Sequence, residues 1–492
     1  MPKINKRPIL NNTVFKKYKK KDIPKLRYAM MHSRVDMPDG VSIVMKQIEQ
    51  VMVSELEIPR DNIFYLVGKS GKKDKNIVEN KMLFDSTKLN HILEKNYKIG
   101  FGGEISERLE KAILKTQKII EKFIEKKKID IIIAHNTCHP VNFVLSVALA
   151  RYYRDSILEN KKTPKYLLWW HDSHLEREYF LNPATDVERY LIQGIPGPYT
   201  EYIFFINNNQ FREADKYFDK LELIRPGFHE LISRNNDVIY NTTETFIESY
   251  KDLSSDKLSD RVDKFIEDFD LKNYLKKRKT TLKNTIFCLQ HTRLVNRKRI
   301  DFALKYVFEL LEKINKRKKK ENRKNIYFLV SGNDAKDGTK AKVKRTYKKL
   351  CKEYKTDRIF LEFAEEHYKK TNIMFEEYPR IFAKLGGFST YFSEIEGFGN
   401  NLLEVLASGL IPVLYTYPVF VSDIQKYGFK VVSLNKFEVT TESISEMIEL
   451  LKSSRKRKIW VNKNLELLRE NFAHEIIALK LGRGIIRRRM HD

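Results

Sequence analysis

Cysteine is scarce in this 492-residue chain, and the three present, Cys138, Cys288 and Cys351, lie far apart, each in or beside an apolar segment. No paired spacing suggests a zinc site or a disulfide framework, so no metal site is expected and a reducing, cytoplasmic setting fits best. No run approaches the roughly 20 apolar residues of a membrane span, which points to a soluble globular protein. The segment MPKINKRPILNNTVFKKYKKK is basic but lacks the apolar core and small-residue cleavage site of a secretory signal, and reads as a solvated tail. Neither an internal repeat nor a low-complexity linker is present.

Acidic residues are outnumbered, 65 Asp and Glu against 93 Lys and Arg, for a formal net charge of +28. Such a field attracts polyanions. Much of the excess sits on lysine-rich helix faces such as KRKKKENRK (316–324) and IEKKKID (124–130), which read as solvated surface. No aromatic-interleaved RNA motif or zinc-finger spacing accompanies the charge, so nucleic acid is disfavoured as a partner. A peripheral contact with an anionic membrane, at its inner face, stays open.

The chain is too long for one hydrophobic core, and two domains of roughly 200–250 residues follow. Short β-branched and aromatic runs alternate with helical patterns, the signature of parallel sheets covered by helices. The first half offers strands over 26–31, 62–67, 129–135, 165–171, 202–207 and 237–240, with helices over 40–57, 104–127 and 141–154. The second offers strands over 285–290, 325–331, 358–363, 387–392, 411–415 and 429–433. The expected organisation is a basic tail over 1–25 and a Rossmann-like domain over 26–243. A charged helical connector over 244–284 and a second Rossmann-like domain over 285–460 follow. A terminal helix, which either caps the second domain or crosses back to the first, and a basic tail occupy 461–492. In such sheets ligands sit beyond the C-terminal strand ends, and a cleft between two such domains suits a large polar ligand.

Four segments leave those strand ends with chemistry to offer. The strongest is SEIEGFGNNLLEVLASGLIPVLY, 393–415, where Glu396 and Glu404 bracket seven residues. Between them Gly397 and Gly399 permit close approach of a ligand, and the start of the following helix favours a phosphate. Carboxylates repel phosphate, so the two glutamates should face hydroxyls. The same residues also suit a strand, a turn and a core helix with incidental glutamates. In QHTRLVNRKRI, 290–300, Arg293 and Lys298 lie five residues apart on a strand-to-helix loop, where both can reach a diphosphate. In HSRVDMPDGVSIVMKQIEQVM, 32–52, Asp39-Gly40 makes a turn before a helix, so Gly40 is a candidate anion contact. In KYLLWWHDSHLEREYF, 165–180, His171 and Asp172 leave an aromatic strand, where an imidazole can bond a hydroxyl. His171, His174 and Glu176 match no common zinc spacing, and Asp172 or Ser173 also suits a helix cap.

The 393–415 segment resembles the Glu, seven residues, Glu motif of family 4 glycosyltransferases, including Ala407-Ser408-Gly409 and Pro412. The 290–300 segment resembles the Arg-Leu...Lys element of that family, 32–52 its glycine-containing acceptor-side loop, and His171-Asp172 its sugar-contacting histidine. With HNTCHPVN before it, the last resembles a bacterial and archaeal subgroup acting on small or phosphorylated acceptors, such as glycerate-linked glycosides. Val238-Ile239-Tyr240-Asn241 is similar to the family's domain crossover, and Phe363-Ala364 stands where an element beside the base is common. The resemblance runs from about residue 26 to 480.

It implies the GT-B fold, two doubly wound Rossmann-like domains facing a central cleft, and retaining transfer of a hexose from a nucleoside-diphosphate sugar to an acceptor hydroxyl. Glu396 would then bind the transferred sugar, Glu404 the ribose, the amides of Phe398, Gly399 and Asn400 the diphosphate, and Gly40 an anionic group of the donor. Arg293, Lys298 and His171 would complete the catalytic set, with no metal and no cofactor beyond the donor. Two alternatives stand beside this reading. A hydrolase would use Glu396 and Glu404 as acid and base, but the helix between them makes a face-to-face arrangement hard to reach. A non-enzymatic scaffold would bind nucleic acid or membrane through its basic surface, with an affinity that collapses in salt.

Overall fold

The computed structural model describes the chain apart from residues 1–17, 38, 85–86, 100–104, 138, 174–182, 195–198, 223–228, 230–232, 244–246, 368–369 and 488–492. It divides into two compact units, residues 1–241 with 474–492, and residues 242–473. The first division falls at Asn241, beside the expected crossover.

Among the described residues the first unit is built on seven parallel strands: β1 (Tyr28–Val35), β2 (Ile63–Ser70), β3 (Ile77–Glu79), β4 (Ile131–His135), β5 (Lys165–Trp170), β6 (Tyr202–Phe205) and β7 (Asn236–Val238). Their order is β3-β2-β1-β4-β5-β6-β7. A parallel sheet buried on both faces reads as nearly continuous hydrophobic runs, and β1 shows why. Tyr28 and Met30 enter one apolar cluster with Tyr65, Ile131 and Trp169, while Ala29 and Met31 enter the other with Leu66, Ile132 and Leu168. Helix Ile105–Lys127 buries Leu109, Ala112, Ile113, Thr116, Ile120 and Phe123, a set in the i, i+3, i+4 pattern of one helical face. β3 is three residues long and carried too little pattern to be expected.

Among its described residues the second unit has six parallel strands: β8 (Thr285–Gln290), β9 (Asn325–Val330), β10 (Ile359–Phe363), β11 (Phe388–Tyr391), β12 (Pro412–Tyr415) and β13 (Val432–Leu434), ordered β10-β9-β8-β11-β12-β13. The helices Asp256–Asp268 and Leu271–Lys277 lie in the stretch expected as a connector. They bury Leu258, Val262, Phe265, Leu271 and Leu275 in this unit's core, so the stretch is part of the second unit. In both sheets the order of strand addition reverses beside the first strand, between β1 and β4 and between β8 and β11, and open α/β sheets bind ligands beyond such switch points.

Two terminal segments differ from expectation. Residues 18–25 belong to the fold rather than to a solvated tail: Ile23 is buried in the first unit's core and Tyr18 Oη donates to the Asp130 carbonyl at 3.2 Å. The helical pattern near the C-terminus is two helices, Ser454–Phe472 in the second unit and His474–Ile486 in the first. The latter buries Ile477, Ala478, Leu481 and Ile485 against the first unit's sheet. Gly484 lets it lie close, since a Cβ there would meet the Phe204 ring at 2.4 Å. No helix among the described residues is long and apolar enough to cross a membrane.

Candidate functional site

In the second unit the loop after β11 brings Glu396 into the interior, with 8% of its side chain exposed. An ionised carboxylate there needs partners, because burial without them is costly. Lys298 Nζ donates to Glu396 Oε1, Arg297 Nη1 to Oε2 at 3.0 Å, and the Tyr391 hydroxyl to Oε1 at 2.9 Å. Burial alone would raise the Glu396 pKa, but the charges of Lys298 and then Arg297 override it and hold the group at about 2. Burial, with Arg297 and Arg293 nearby, pulls the Lys298 ammonium below its ordinary value, against the pull of Glu396. The structure therefore joins Glu396 and Lys298, which the sequence had assigned to different ligand groups, as one buried ion pair. Arg293 is exposed on the same loop, and its side chain makes no hydrogen bond or ion pair with another described residue.

The turn behind Glu396 is sterically determined. Gly399 sits at φ +111° and opens helix Asn400–Ala407, and a Cβ at this position would meet the Tyr417 hydroxyl at 2.3 Å. That hydroxyl donates to the Phe398 carbonyl at 3.0 Å, and the Phe398 ring packs against Phe472 at 5.9 Å. Leu402, Leu403, Leu406 and Ala407 are buried, as the apolar face required. Asn400, the first helical residue, is half-buried.

Glu404, one turn into that helix, has a partner that sequence reasoning missed. His291 is fully buried, its Nε2 lies 2.9 Å from Glu404 Oε2, and its Nδ1 lies 3.0 Å from Ser331 Oγ. Its ring stacks on Phe375, centroids 4.0 Å apart. The arrangement occupies one carboxylate oxygen of Glu404 and fixes the side chain's orientation. His291 stands in the segment singled out for Arg293 and Lys298, directly after β8, and that position was the available signal.

In the first unit, His32 lies near the end of β1, His135 ends β4 and His171 follows β5, on three adjacent strands. His135 Nδ1 is 3.0 Å from His171 Nε2, and His32 Nδ1 is 3.2 Å from the His135 carbonyl. Burial, with His32 adding to it, lowers the His171 pKa to about 3, and burial holds His135 well below its ordinary value, so both rings are neutral near pH 7. The Asp172 N–H donates to Asn136 Oδ1 at 2.9 Å, and the residues after Ser173, on which a helix-cap role depends, lie outside those described. His174, Glu176 and Cys138 lie outside the described residues, and among those described no cluster of His, Cys, Asp or Glu has a metal-binding arrangement.

Gly40 is the first unit's candidate anion contact. It begins helix Gly40–Ser54, but the Asp39 carboxylate caps that helix, accepting from Val41 N at 3.1 Å and Ser42 N at 3.0 Å. A phosphate at this helix start would compete with the Asp39 carboxylate for those same amides. No close contact explains the glycine, since a Cβ there would meet nothing within 4 Å. Phe363 and Ala364 are buried, with Lys340 Nζ 4.9 Å from the Phe363 ring centre.

No protein-family model matches the chain. The mannosylglucosylglycerate synthase of Thermotoga maritima is 22% identical over 489 residues, covering 94% of this chain and 100% of that protein. The mannosylglucosylglycerate synthase of Petrotoga mobilis is 24% identical over 331 residues, 64% of this chain and 66% of its own length. Among solved structures, a glycosyltransferase from Rickettsia africae matches with a TM-score of 0.56 at 15% identity, over 94% of this chain and 99% of that one. Fold and relatives define the class, a GT-B glycosyltransferase.

Proposed function

We propose that the protein transfers a hexose from a nucleoside-diphosphate sugar to a hydroxyl of a small glycerate-type acceptor, with retention of anomeric configuration. The observation that carries this reading is Glu396: a buried carboxylate kept ionised by Lys298 and Arg297 beyond the switch point of the second sheet. A fixed anion in that position accepts from sugar hydroxyls and repels phosphate. Glu404, oriented by His291, keeps one oxygen for the ribose hydroxyls. Arg293, exposed and uncommitted, takes the diphosphate. The relatives' name supplies the acceptor class.

The difficult step is departure of the diphosphate while positive charge grows on the sugar. The bond from the anomeric carbon to the phosphate oxygen breaks and its electron pair leaves with the diphosphate, whose charge Arg293 and the nearby Lys298 stabilise. The acceptor hydroxyl attacks from the face the diphosphate is leaving and gives its proton to the departing phosphate oxygen. That sequence retains configuration without a covalent intermediate on the protein.

The test is a panel of nucleotide sugars, read by thermal stabilisation and nucleoside-diphosphate release with glycerate and glucosylglycerate as acceptors. Glu396→Gln keeps the shape and removes the charge, and it should cut transfer by about 10²–10³-fold while the protein remains folded. No response of the unmodified protein to any donor would overturn the reading, and so would full activity in Glu396→Gln.

A further inference from the structure

We infer that His135 is a positioning residue that fixes His171 as the Nδ1–H tautomer, so that His171 meets its ligand as a hydrogen-bond donor. The argument rests on which nitrogen each ring commits. His135 Nδ1 and His171 Nε2 are 3.0 Å apart, and two neutral imidazoles at that distance share one proton-bearing nitrogen. If His171 donated, His135 would have to carry its proton on Nε2. That atom is buried and has no hydrogen-bond partner among the described residues. An orphaned buried N–H is rarer than an acceptor left bare, because the interior offers nothing to replace the lost water. The proton therefore belongs on His135 Nδ1, which donates to His171 Nε2 and leaves His171 protonated on Nδ1.

Both rings are held in place for this. His135 stacks on Trp169, centroids 5.5 Å apart and planes 15° from parallel, and is fully buried. The His171 carbonyl accepts from Gln210 Nε2 at 2.6 Å, which anchors the backbone beneath the ring. His171 Nδ1 makes no hydrogen bond with the described residues, and His171 keeps 7% exposure. An N–H in that position selects an oxygen lone pair. On the transferase reading, on which only the ligand's identity rests, that oxygen belongs to a sugar or acceptor hydroxyl.

The test is the nitrogen spectrum of the full-length protein labelled with ¹⁵N-histidine at neutral pH, the His171 signals being assigned by their loss in His171→Gln. The expected result is a protonated Nδ1 and a bare Nε2 on His171. In His135→Phe, His171 should revert to the Nε2–H form that free imidazole prefers. His135→Asn, which restores an amide donor near the position of Nδ1, should keep the Nδ1–H form. Where transfer is measurable, His135→Phe should lower kcat/KM by about tenfold, as loss of a partner that orients a functional histidine does, with recovery in His135→Asn. An Nε2–H form of His171 in the unmodified protein overturns the inference, as does an unchanged His171 in His135→Phe. Should His135→Phe fail to fold, the spectra of the unmodified protein and His135→Asn decide. Absence of transfer in the unmodified protein would overturn the proposed activity and leave the tautomer result standing.

Discussion

At Gly399 two constraints coincide, a left-handed backbone at φ +111° and a tyrosine hydroxyl where a Cβ would be placed. Gly399→Ala should cost about 1–3 kcal/mol through backbone strain, with the steric conflict added. Tyr417→Phe removes the clashing oxygen but also its bond to the Phe398 carbonyl. The double variant should therefore melt above Gly399→Ala yet below the unmodified protein. Equal melting temperatures for the unmodified protein and Gly399→Ala would show that the turn is not constrained in this way. The same residue shows how far local pattern carries. Gly-x-Gly between two glutamates announced a tight turn, but Tyr417, eighteen residues on, was invisible to it. His291 makes the point again: the segment was recognised, yet its contact with Glu404 spans 113 residues.

Helix His474–Ile486 returns the chain to the first unit, and a buried lysine closes its C-terminal end. Lys165 Nζ donates to the Ile485 carbonyl at 3.0 Å and to that of Arg487, where orphan carbonyls and the helix dipole both favour a cation. Lys165→Met keeps the apolar stem and leaves those carbonyls without their partner. It should destabilise the first unit by about 1.5–3 kcal/mol, the usual range for hydrogen bonds to a charged group. A lower melting temperature and faster proteolysis after residue 473 would show it; unchanged protection of the segment would refute it. The helix itself was legible, since Ile476, Ile477 and Leu481 have helical spacing. Its destination was not, because an apolar stripe does not specify which sheet will cover it.

Each unit carries its own acid-sensitive centre. His171 has a folded pKa of about 3 against an ordinary 6.5, so the unfolded chain binds more protons between those values. Stability from this group is complete above pH 6.5 and is lost as pH falls towards 3, about 5 kcal/mol in all. Glu396, at about 2 against 4.5, contributes above pH 4.5 and loses its share as pH falls through 2, about 3 kcal/mol. Acidification from pH 6.5 to 4.5 should therefore weaken the first unit before the second. Hydrogen exchange at stepwise pH would locate the loss, and His171→Gln should reduce it, with His135 supplying the remainder. Earlier loss of protection in the second unit would contradict these assignments.

The sequence by itself determined the two-sheet architecture, because parallel strands buried on both faces are continuous apolar runs whatever their neighbours. Among the described residues, twelve of the thirteen strands overlap the expected ranges, although β7 is only half-buried, and β3 escaped. The sequence also marked the loops that hold the candidate residues, since Glu396, Arg293 and His171 all follow such runs. Tertiary structure alone decided what those residues touch: Lys298 on Glu396, His291 on Glu404, His135 on His171, and Asp39 over the helix start after Gly40. These contacts depend on strand order and loop path, and spacing along the chain contains neither. The Glu396–Lys298 ion pair joins residues 98 positions apart only because β8 and β11 are neighbours in the sheet.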